Sequence, residues 1–130
     1  MYILNAPTGI KEGRQLLGRM VRAARAMRGW TLDDLKEQIA QNVSYRSDSG
    51  IEPYIVSKSQ LSVLERGQPV LDPLLFESIA VLELLDHPIE QRALMIEEIK
   101  AINCGLFDLK TGAWLSSEPS RVLTQSVIAS

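Results

Sequence analysis

Helix start and stop signals recur at short intervals in the first two thirds of this chain and restrict it to short helices. Thr31, Ser57 and Asp72 are residue types that cap the start of a helix, and each precedes a stretch with apolar residues. Gly29 and Gly67 each follow a helical pattern at a position where a glycine commonly ends a helix. These signals predict four successive helices.

Apolar residues recur at helical spacing between these signals and define the buried face of each helix. A fifth helix is predicted to start after Asp86, with Pro88 in its first turn, and to stop near Gly105. The inward positions are Leu16, Leu17, Met20, Val21, Ala24 and Met27 in the first helix, Leu32, Leu35 and Ile39 in the second, Leu61 and Leu64 in the third, Leu75, Ile79, Leu82 and Leu85 in the fourth, and Ile89, Leu94, Ile96 and Ile99 in the fifth.

Two segments depart from the helical pattern. Residues 42–56 are polar and interrupted by Gly50 and Pro53, so we expect a long loop there. Residues 106–109 and 113–115 flank a three-residue link that ends in Gly112, which is typical of a β-hairpin, and a tail follows. The sequence therefore predicts an all-α fold with a C-terminal β-hairpin and tail.

The side chains that support catalysis or metal binding are scarce in this composition. Cys104 and His87 are the single cysteine and the single histidine, so neither an intrachain disulfide nor a zinc site built from these types is expected. No pairing of a nucleophile with a base and no glycine-rich phosphate loop is recognisable, which predicts a protein that is not an enzyme and needs no cofactor or metal. We interpret Cys104 as a small apolar filler and His87 as a turn or cap residue.

Charge is unevenly distributed along the chain, although the net charge is only −2. Residues 1–66 hold 10 basic and 7 acidic side chains, whereas residues 67–130 hold 4 basic and 9 acidic side chains. A basic first half allows one face to approach an anionic partner. Arginines at every third position from Arg19 to Arg28 are either a phosphate-binding band or a solvated helix face. The absence of a long apolar run and of a secretory signal pattern predicts a cytoplasmic location.

A Thr-capped second helix and a Ser-capped third helix are compatible with a helix-turn-helix. Between about Leu16 and Leu85 the chain carries Leu17-Gly18, Val21-Arg22, Arg25, Gly29, Thr31 and Leu35, and then Ser57, Leu61, Leu64-Glu65-Arg66-Gly67 and Pro69. In these residues the segment resembles the Cro/repressor (XRE) helix-turn-helix family. It departs from the family at Lys36, where a small residue is usual, and at residues 42–56, which form a long insertion between helices two and three.

The resemblance implies a five-helix repressor-like fold whose helix-turn-helix domain covers residues 11–86, with a C-terminal unit at residues 87–130 for dimerisation. It further implies a regulator of transcription that binds double-stranded DNA, as a homodimeric repressor on a palindromic operator, and that is nucleoid-associated when bound. Arg25 and Glu65 stand at the positions of a structural salt bridge in the family. Base contacts are implied for Ser57, Lys58, Ser59, Ser62 and Val63, and phosphate contacts for Arg66 and Gly67, with Arg22 and Arg28 adding charge beside them.

Two further segments are candidates for binding. Tyr45 and Arg46 in the predicted 42–56 loop are able to reach a DNA phosphate or a protein partner, unless the loop is a tolerated insertion. The apolar residues of the C-terminal hairpin either join a second subunit or pack on the fifth helix; they are Phe107, Leu109, Trp114 and Leu115. An alternative function is therefore a protein-interaction module on the same fold, such as an antitoxin or a regulatory adaptor.

Overall fold

Five helices and two small antiparallel sheets follow one another along residues 10–108 and 110–114, the part of the chain that the computed structural model describes. The prediction of an all-α fold is wrong: residues 42–56 form a β-hairpin in addition to the predicted C-terminal one, so the fold is mixed α/β. The number of helices is as predicted. The helices are α1 (Lys11–Met27), α2 (Leu32–Asn42), α3 (Lys58–Glu65), α4 (Pro73–Val81) and α5 (Ile96–Asn103), and the strands are β1 (Ser44–Ser47), β2 (Gly50–Pro53), β3 (Phe107–Asp108) and β4 (Ala113–Trp114). None of the described helices is long and apolar enough to cross a lipid bilayer.

The three predicted cap residues each start a helix. The Thr31 hydroxyl accepts from the Asp34 N–H at 3.1 Å, and the Ser57 hydroxyl accepts from the Gln60 N–H at 3.1 Å. Both are complete capping boxes, because the third helical residue also accepts from the cap residue's own N–H. The Asp72 carboxylate accepts from the Leu74 N–H at 3.0 Å at the start of α4. Each cap stabilises its helix by about 1 kcal/mol.

The segment predicted as a loop is an exposed hairpin on a buried base. Strands β1 and β2 pair in register from Ser44 opposite Pro53 to Ser47 opposite Gly50. Below the strands, Val43 and Tyr54 are buried, and the Tyr54 N–H donates to the Val43 carbonyl at 2.9 Å. The strands lack the alternating apolar face that a half-buried strand shows, because only their flanking residues reach the core. The sequence pattern therefore does not predict the hairpin.

Hydroxyl groups around Glu52 hold the two hairpin strands together. Ser47 Oγ donates to the Glu52 carboxylate at 2.9 Å, and the hydroxyls of Ser49 and Tyr45 donate to the same group. The hydrogen bonds from Ser49, Ser47 and Tyr45 hold the pKa of Glu52 below its usual value. The polar side chains on this face of the hairpin are thus bonded to one another.

Helix α5 starts at Ile96, nine residues later than the sequence predicts, because a turn bonded to His87 occupies the predicted start. The imidazole Nδ1 accepts the N–H groups of Ile89 at 3.1 Å and Glu90 at 3.0 Å, which closes a turn after Pro88. These amides would otherwise belong to the first turn of the predicted helix. The interpretation of His87 as a turn residue is confirmed, and the predicted start of the fifth helix is wrong.

An ion pair between the half-exposed Arg92 and the buried Glu98 joins this turn to α5. The carboxylate of Glu98, with 5 % of its side chain exposed, receives both terminal nitrogens of Arg92 at 2.8 Å. The Met95 N–H donates to the same carboxylate at 2.8 Å. Arg92 foremost, and then the Met95 N–H, hold the pKa of Glu98 below its usual value of 4.5 despite burial.

Acid is expected to remove the contribution of Glu98 to stability. Because the folded pKa is depressed, that contribution is complete above the unfolded pKa and is lost as the pH falls through the folded pKa. The free energy of unfolding in urea should therefore depend less on pH, between about pH 5 and about pH 3, in Glu98→Gln than in the unaltered protein. The exposed neighbour Glu97 supplies the control, since Glu97→Gln should keep the original dependence. Equal dependences for the two variants would contradict the prediction.

One apolar core extends across both predicted units. Helix α5, from the predicted C-terminal unit, packs on α1 and α4, and its Ile99 and Ile102 join Leu17 and Ile79 in a single buried cluster. Within β3, Phe107 is 4 % exposed and meets the His87 ring edge-on at 5.8 Å. Phe107 is therefore buried in the core of its own chain, which leaves little of its surface for the predicted dimer interface. The other residues of that prediction, which are Leu109, the side chain of Trp114, Leu115 and the tail from Ser116, lie outside the described part of the chain.

Candidate nucleic-acid interface

A two-pronged ion pair fixes α3 to α1. Arg25 Nε donates to Glu65 Oε2 at 2.7 Å and Arg25 Nη2 donates to Glu65 Oε1 at 2.9 Å. The third guanidinium nitrogen donates to the Trp30 carbonyl at 2.9 Å. Only 17 % of the Arg25 side chain and 7 % of the Glu65 side chain are exposed. The structure thus contains the salt bridge that the resemblance implies, and its geometry holds the end of α3 in one orientation.

Gly18 brings the backbones of α1 and α3 into contact beside this ion pair. A Cβ atom on Gly18 would lie 2.6 Å from the carbonyl oxygens of both Leu64 and Glu65. No side chain fits between the helices at this point. The position of α3 is therefore set by backbone contact as well as by the Arg25–Glu65 pair.

Gly67 has a structural role that differs from its predicted one. Its N–H donates to the Leu64 carbonyl at 3.1 Å, and its own carbonyl accepts from Arg14 Nε at 3.1 Å. It is buried with φ +76°, and a Cβ would lie 2.8 Å from Gln15 Cα. The Gly67 amide, which is predicted to contact a phosphate, is thus already bonded inside the protein.

The predicted base-contacting residues lie on α3 and at its cap, with different exposure. Ser57, Lys58 and Ser59 are exposed at the start of the helix, whereas Ser62 and Val63 are half-buried one turn later. Val63 also packs against the core, so its surface is shared between the interior and the outside. Of the predicted base-contacting residues, those at the exposed start of α3 are therefore the most accessible to a binding partner.

Lys58 has a partner that the sequence analysis missed. Its Nζ lies 3.4 Å from Oδ2 of Asp33, the second residue of α2, and more than half of each side chain is exposed. A neighbour on a different helix 25 residues away leaves no local signal in the sequence. The start of α3 therefore presents a paired cation and anion.

Three exposed arginines surround the end of α3. Arg66 follows the helix, and its Nε donates only to the Ser62 carbonyl at 3.3 Å among the described residues. Arg22 lies one turn beyond Gly18, and Arg19 lies one turn beyond Gln15, the residue that contacts Gly67. The side chains of Arg19 and Arg22 have no hydrogen bond or ion pair with any described residue. Arg19 is thus a candidate that joins the predicted pair Arg22 and Arg66, and the arginine repeat was its signal.

Arg28 is engaged in holding α1 to the end of α4. Its guanidinium donates to the carbonyls of Glu83 and Leu84, both at 3.3 Å, and to the Ala24 carbonyl at 3.4 Å. It also lies 5.4 Å from the centre of the Trp30 ring. The predicted phosphate contact of Arg28 is therefore replaced by contacts within the protein.

The two candidates in the hairpin are on opposite faces of it. The Tyr45 hydroxyl donates to Glu52 at 3.4 Å, so Tyr45 belongs to the internal network and its predicted phosphate contact is not supported. Arg46 is on the other face, opposite Ile51, and its exposed side chain has no hydrogen bond or ion pair with the described residues. Arg46 therefore projects from the arm that precedes α3 in the chain.

An apolar groove runs along the outer side of α3. It has a volume of about 430 Å³ and lies between Ser59, Gln60 and Val63 on one side and residues 69–72 on the other. Leu71, 72 % exposed, forms part of its wall. The groove is absent from the sequence predictions, because it arises from the path of the chain after Gly67.

Cys104 is buried at the end of α5, and this burial raises the pKa of its thiol. A thiol with a raised pKa is a poor nucleophile at neutral pH, in line with its interpretation as an apolar filler. Among the described residues, no three His, Cys, Asp or Glu side chains are grouped so that they could hold a metal ion.

Comparisons of the chain with protein-family models, with curated proteins and with solved structures give no match. What this protein binds therefore has to be inferred from its own side chains.

Proposed function

We propose that this protein binds double-stranded DNA by inserting the start of α3 into the major groove. The observation that carries the proposal is the way α3 is held: the Arg25–Glu65 pair and Gly18 fix its buried side, while Lys58 and Ser59 face outward. The major groove admits an α-helix, and lysine and serine side chains donate to base edges there. The resemblance to the Cro/repressor (XRE) family supports the same docking.

Phosphate contacts on one side of α3 come from Arg19, Arg22 and Arg66, which are exposed and have few or no bonds within the described part of the chain. Arg46 supplies a further exposed positive charge on the β1–β2 hairpin that precedes the helix in the chain. Contacts of this kind set affinity and register, and base contacts by Lys58 and its neighbours set sequence preference. In its fuller form the proposal is a homodimeric repressor that occludes a promoter by binding a palindromic operator.

The direct test is selection of random-sequence duplexes by the purified protein at low and at physiological salt. Enrichment of an inverted repeat with half-sites about one helical turn apart is the expected result. Enrichment of a single unrepeated site would support DNA binding and contradict the dimer. Absence of any retained duplex at low salt would overturn the proposal.

Removal of a phosphate-contacting arginine is expected to weaken DNA binding equally for all sequences. Arg22→Ala and Arg66→Ala should each lower the slope of log Kobs against log salt concentration by about 1. Fluorescence anisotropy of a labelled duplex over a series of salt concentrations measures that slope. Lys110→Ala removes the same charge from the exposed turn of the C-terminal hairpin and should leave the slope unchanged. The assignment fails if the arginine variants retain the original slope.

A second candidate function, binding of a protein partner, is favoured by the groove beside α3. Leu71 is exposed there next to Val63, and an apolar groove on a helix face is a common docking site for a peptide segment. If no duplex is retained and a stoichiometric protein co-purifies, Leu71→Ser should release that protein. Co-purification that survives Leu71→Ser would contradict the groove as its site.

A further inference from the structure

We infer that Asp33 and Lys58 act as one sequence-reading unit, which makes Asp33 a specificity-determining residue for a G·C base pair. The inference rests on the proposed function, because it concerns how the DNA-bound α3 would select its site. It assigns a role to an acidic residue in a place where simple charge attraction favours only basic ones.

Neither side chain of the pair is needed to build its helix. The cap of α2 is formed by Thr31 and Asp34, and the Thr31 N–H donates to Asp34 Oδ2 at 2.8 Å. The cap of α3 is likewise complete with Ser57 and Gln60. The 3.4 Å ion pair between Asp33 and Lys58 is 67 % and 55 % exposed, respectively, and a pair so exposed contributes little to folding.

The pair changes how this surface meets a duplex. A lone lysine at the start of α3 would be attracted to any phosphate and would strengthen binding to every sequence. With the Asp33 carboxylate 3.4 Å away the local charge is balanced, and this non-specific attraction is largely offset. Asp33 therefore disfavours every duplex that does not satisfy the carboxylate.

A G·C pair satisfies both charges on one edge. Guanine offers the adjacent acceptors O6 and N7 to the lysine ammonium, and the neighbouring cytosine N4 amino group donates to a carboxylate. An A·T pair offers its single amino donor between two acceptors, so a carboxylate placed there faces negative partial charge on both sides. The Lys58 ammonium and the Asp33 carboxylate, side by side, thus match the acceptor and donor ends of a G·C pair. In the reversed C·G pair these ends are exchanged, so the two orientations are distinguished.

The test compares Asp33→Asn with the unaltered protein on two labelled duplexes, the one enriched by selection and a scrambled duplex of the same composition. We expect Asp33→Asn to bind the scrambled duplex several-fold more tightly, because one repelling charge is gone. The ratio of the two affinities should fall on the order of tenfold, the effect of losing one base-specific contact. Asp48→Asn, an equal charge change at the exposed tip of the β1–β2 hairpin, should leave that ratio unchanged.

The outcomes separate the inference from the proposed function. If Lys58→Ala lowers the affinity ratio but Asp33→Asn leaves it unchanged, DNA binding stands and the role of Asp33 is overturned. An equal gain for both duplexes would also overturn it, since Asp33 would then act only as a general negative charge. If neither the unaltered protein nor any variant retains a duplex at low salt, the proposed function and the inference both fail.

Discussion

Glu65→Ala is expected to lower the free energy of unfolding by about 3 kcal/mol, the range for loss of one partner from a largely buried ion pair. The change leaves the Arg25 guanidinium, 17 % exposed, with the Trp30 carbonyl but without its carboxylate. It also removes one of the two contacts that hold the end of α3 to α1, so DNA binding by the fraction that remains folded should fall as well. Urea denaturation followed by circular dichroism measures the loss of stability.

Two companion variants make this prediction specific. Arg25→Met combined with Glu65→Leu should recover much of the loss, because apolar side chains commonly replace a buried ion pair at little cost. Lys58→Ala breaks the exposed pair with Asp33 and should cost at most about 1 kcal/mol. A cost for Glu65→Ala no greater than that of Lys58→Ala would contradict the bracing role of the buried pair.

Gly18→Ala is expected to destabilise the protein by about 2 kcal/mol, although alanine is the better helix former. A glycine within an exposed helix costs about 1 kcal/mol relative to alanine, so helix propensity alone predicts that Gly18→Ala stabilises the protein. The new Cβ would lie 2.6 Å from two backbone carbonyl oxygens, which cannot rotate away as a side chain would. Gly13→Ala should behave similarly, since its Cβ would lie 2.4 Å from the carbonyl oxygens of Ile102 and Asn103.

The two glycine variants should differ in their effect on DNA binding. Gly18 contacts the end of α3, so Gly18→Ala displaces the proposed reading helix and should weaken binding even under conditions where the protein is folded. Gly13 contacts the end of α5, and its variant should lose stability alone. Ala26→Gly at an exposed position of α1 is the control for propensity and should cost about 1 kcal/mol. A stabilised Gly18→Ala would show that the two helices separate easily.

The parts of the fold that the sequence predicts correctly are those whose signals are local. The cap residue Thr31 bonds three residues ahead, and inward positions such as Leu17 and Val21 follow the helical period. The hairpin at residues 42–56 and the late start of α5 could not be predicted in the same way. Their causes are contacts such as the buried base under the hairpin and the turn closed by the His87 ring, which periodicity does not encode.

The candidate site likewise contains residues that the sequence predicts correctly and residues whose role depends on contacts formed in the fold. The resemblance correctly implies the ion pair between Arg25 and Glu65, which joins the packed helices α1 and α3. It does not say which arginines are already bonded within the protein, so Arg28 was given a phosphate contact although its guanidinium joins two helices. Asp33 was missed because its meeting with Lys58 depends on how α2 and α3 cross. A sequence gives the inventory of charges, and the folded chain decides which of them face outward.

The way in which the β1–β2 hairpin is attached separates the length and composition of this insertion from the position of α3. The chain leaves the domain at Val43 and returns at Tyr54, whose N–H donates to the Val43 carbonyl, so both crossings occur at one point. Residues between them can be lengthened, shortened or exchanged while Ser57 and the helix it starts keep their place. The reach of this arm is therefore free to diverge, by evolution or by engineering, on a scaffold in which α3 stays constant.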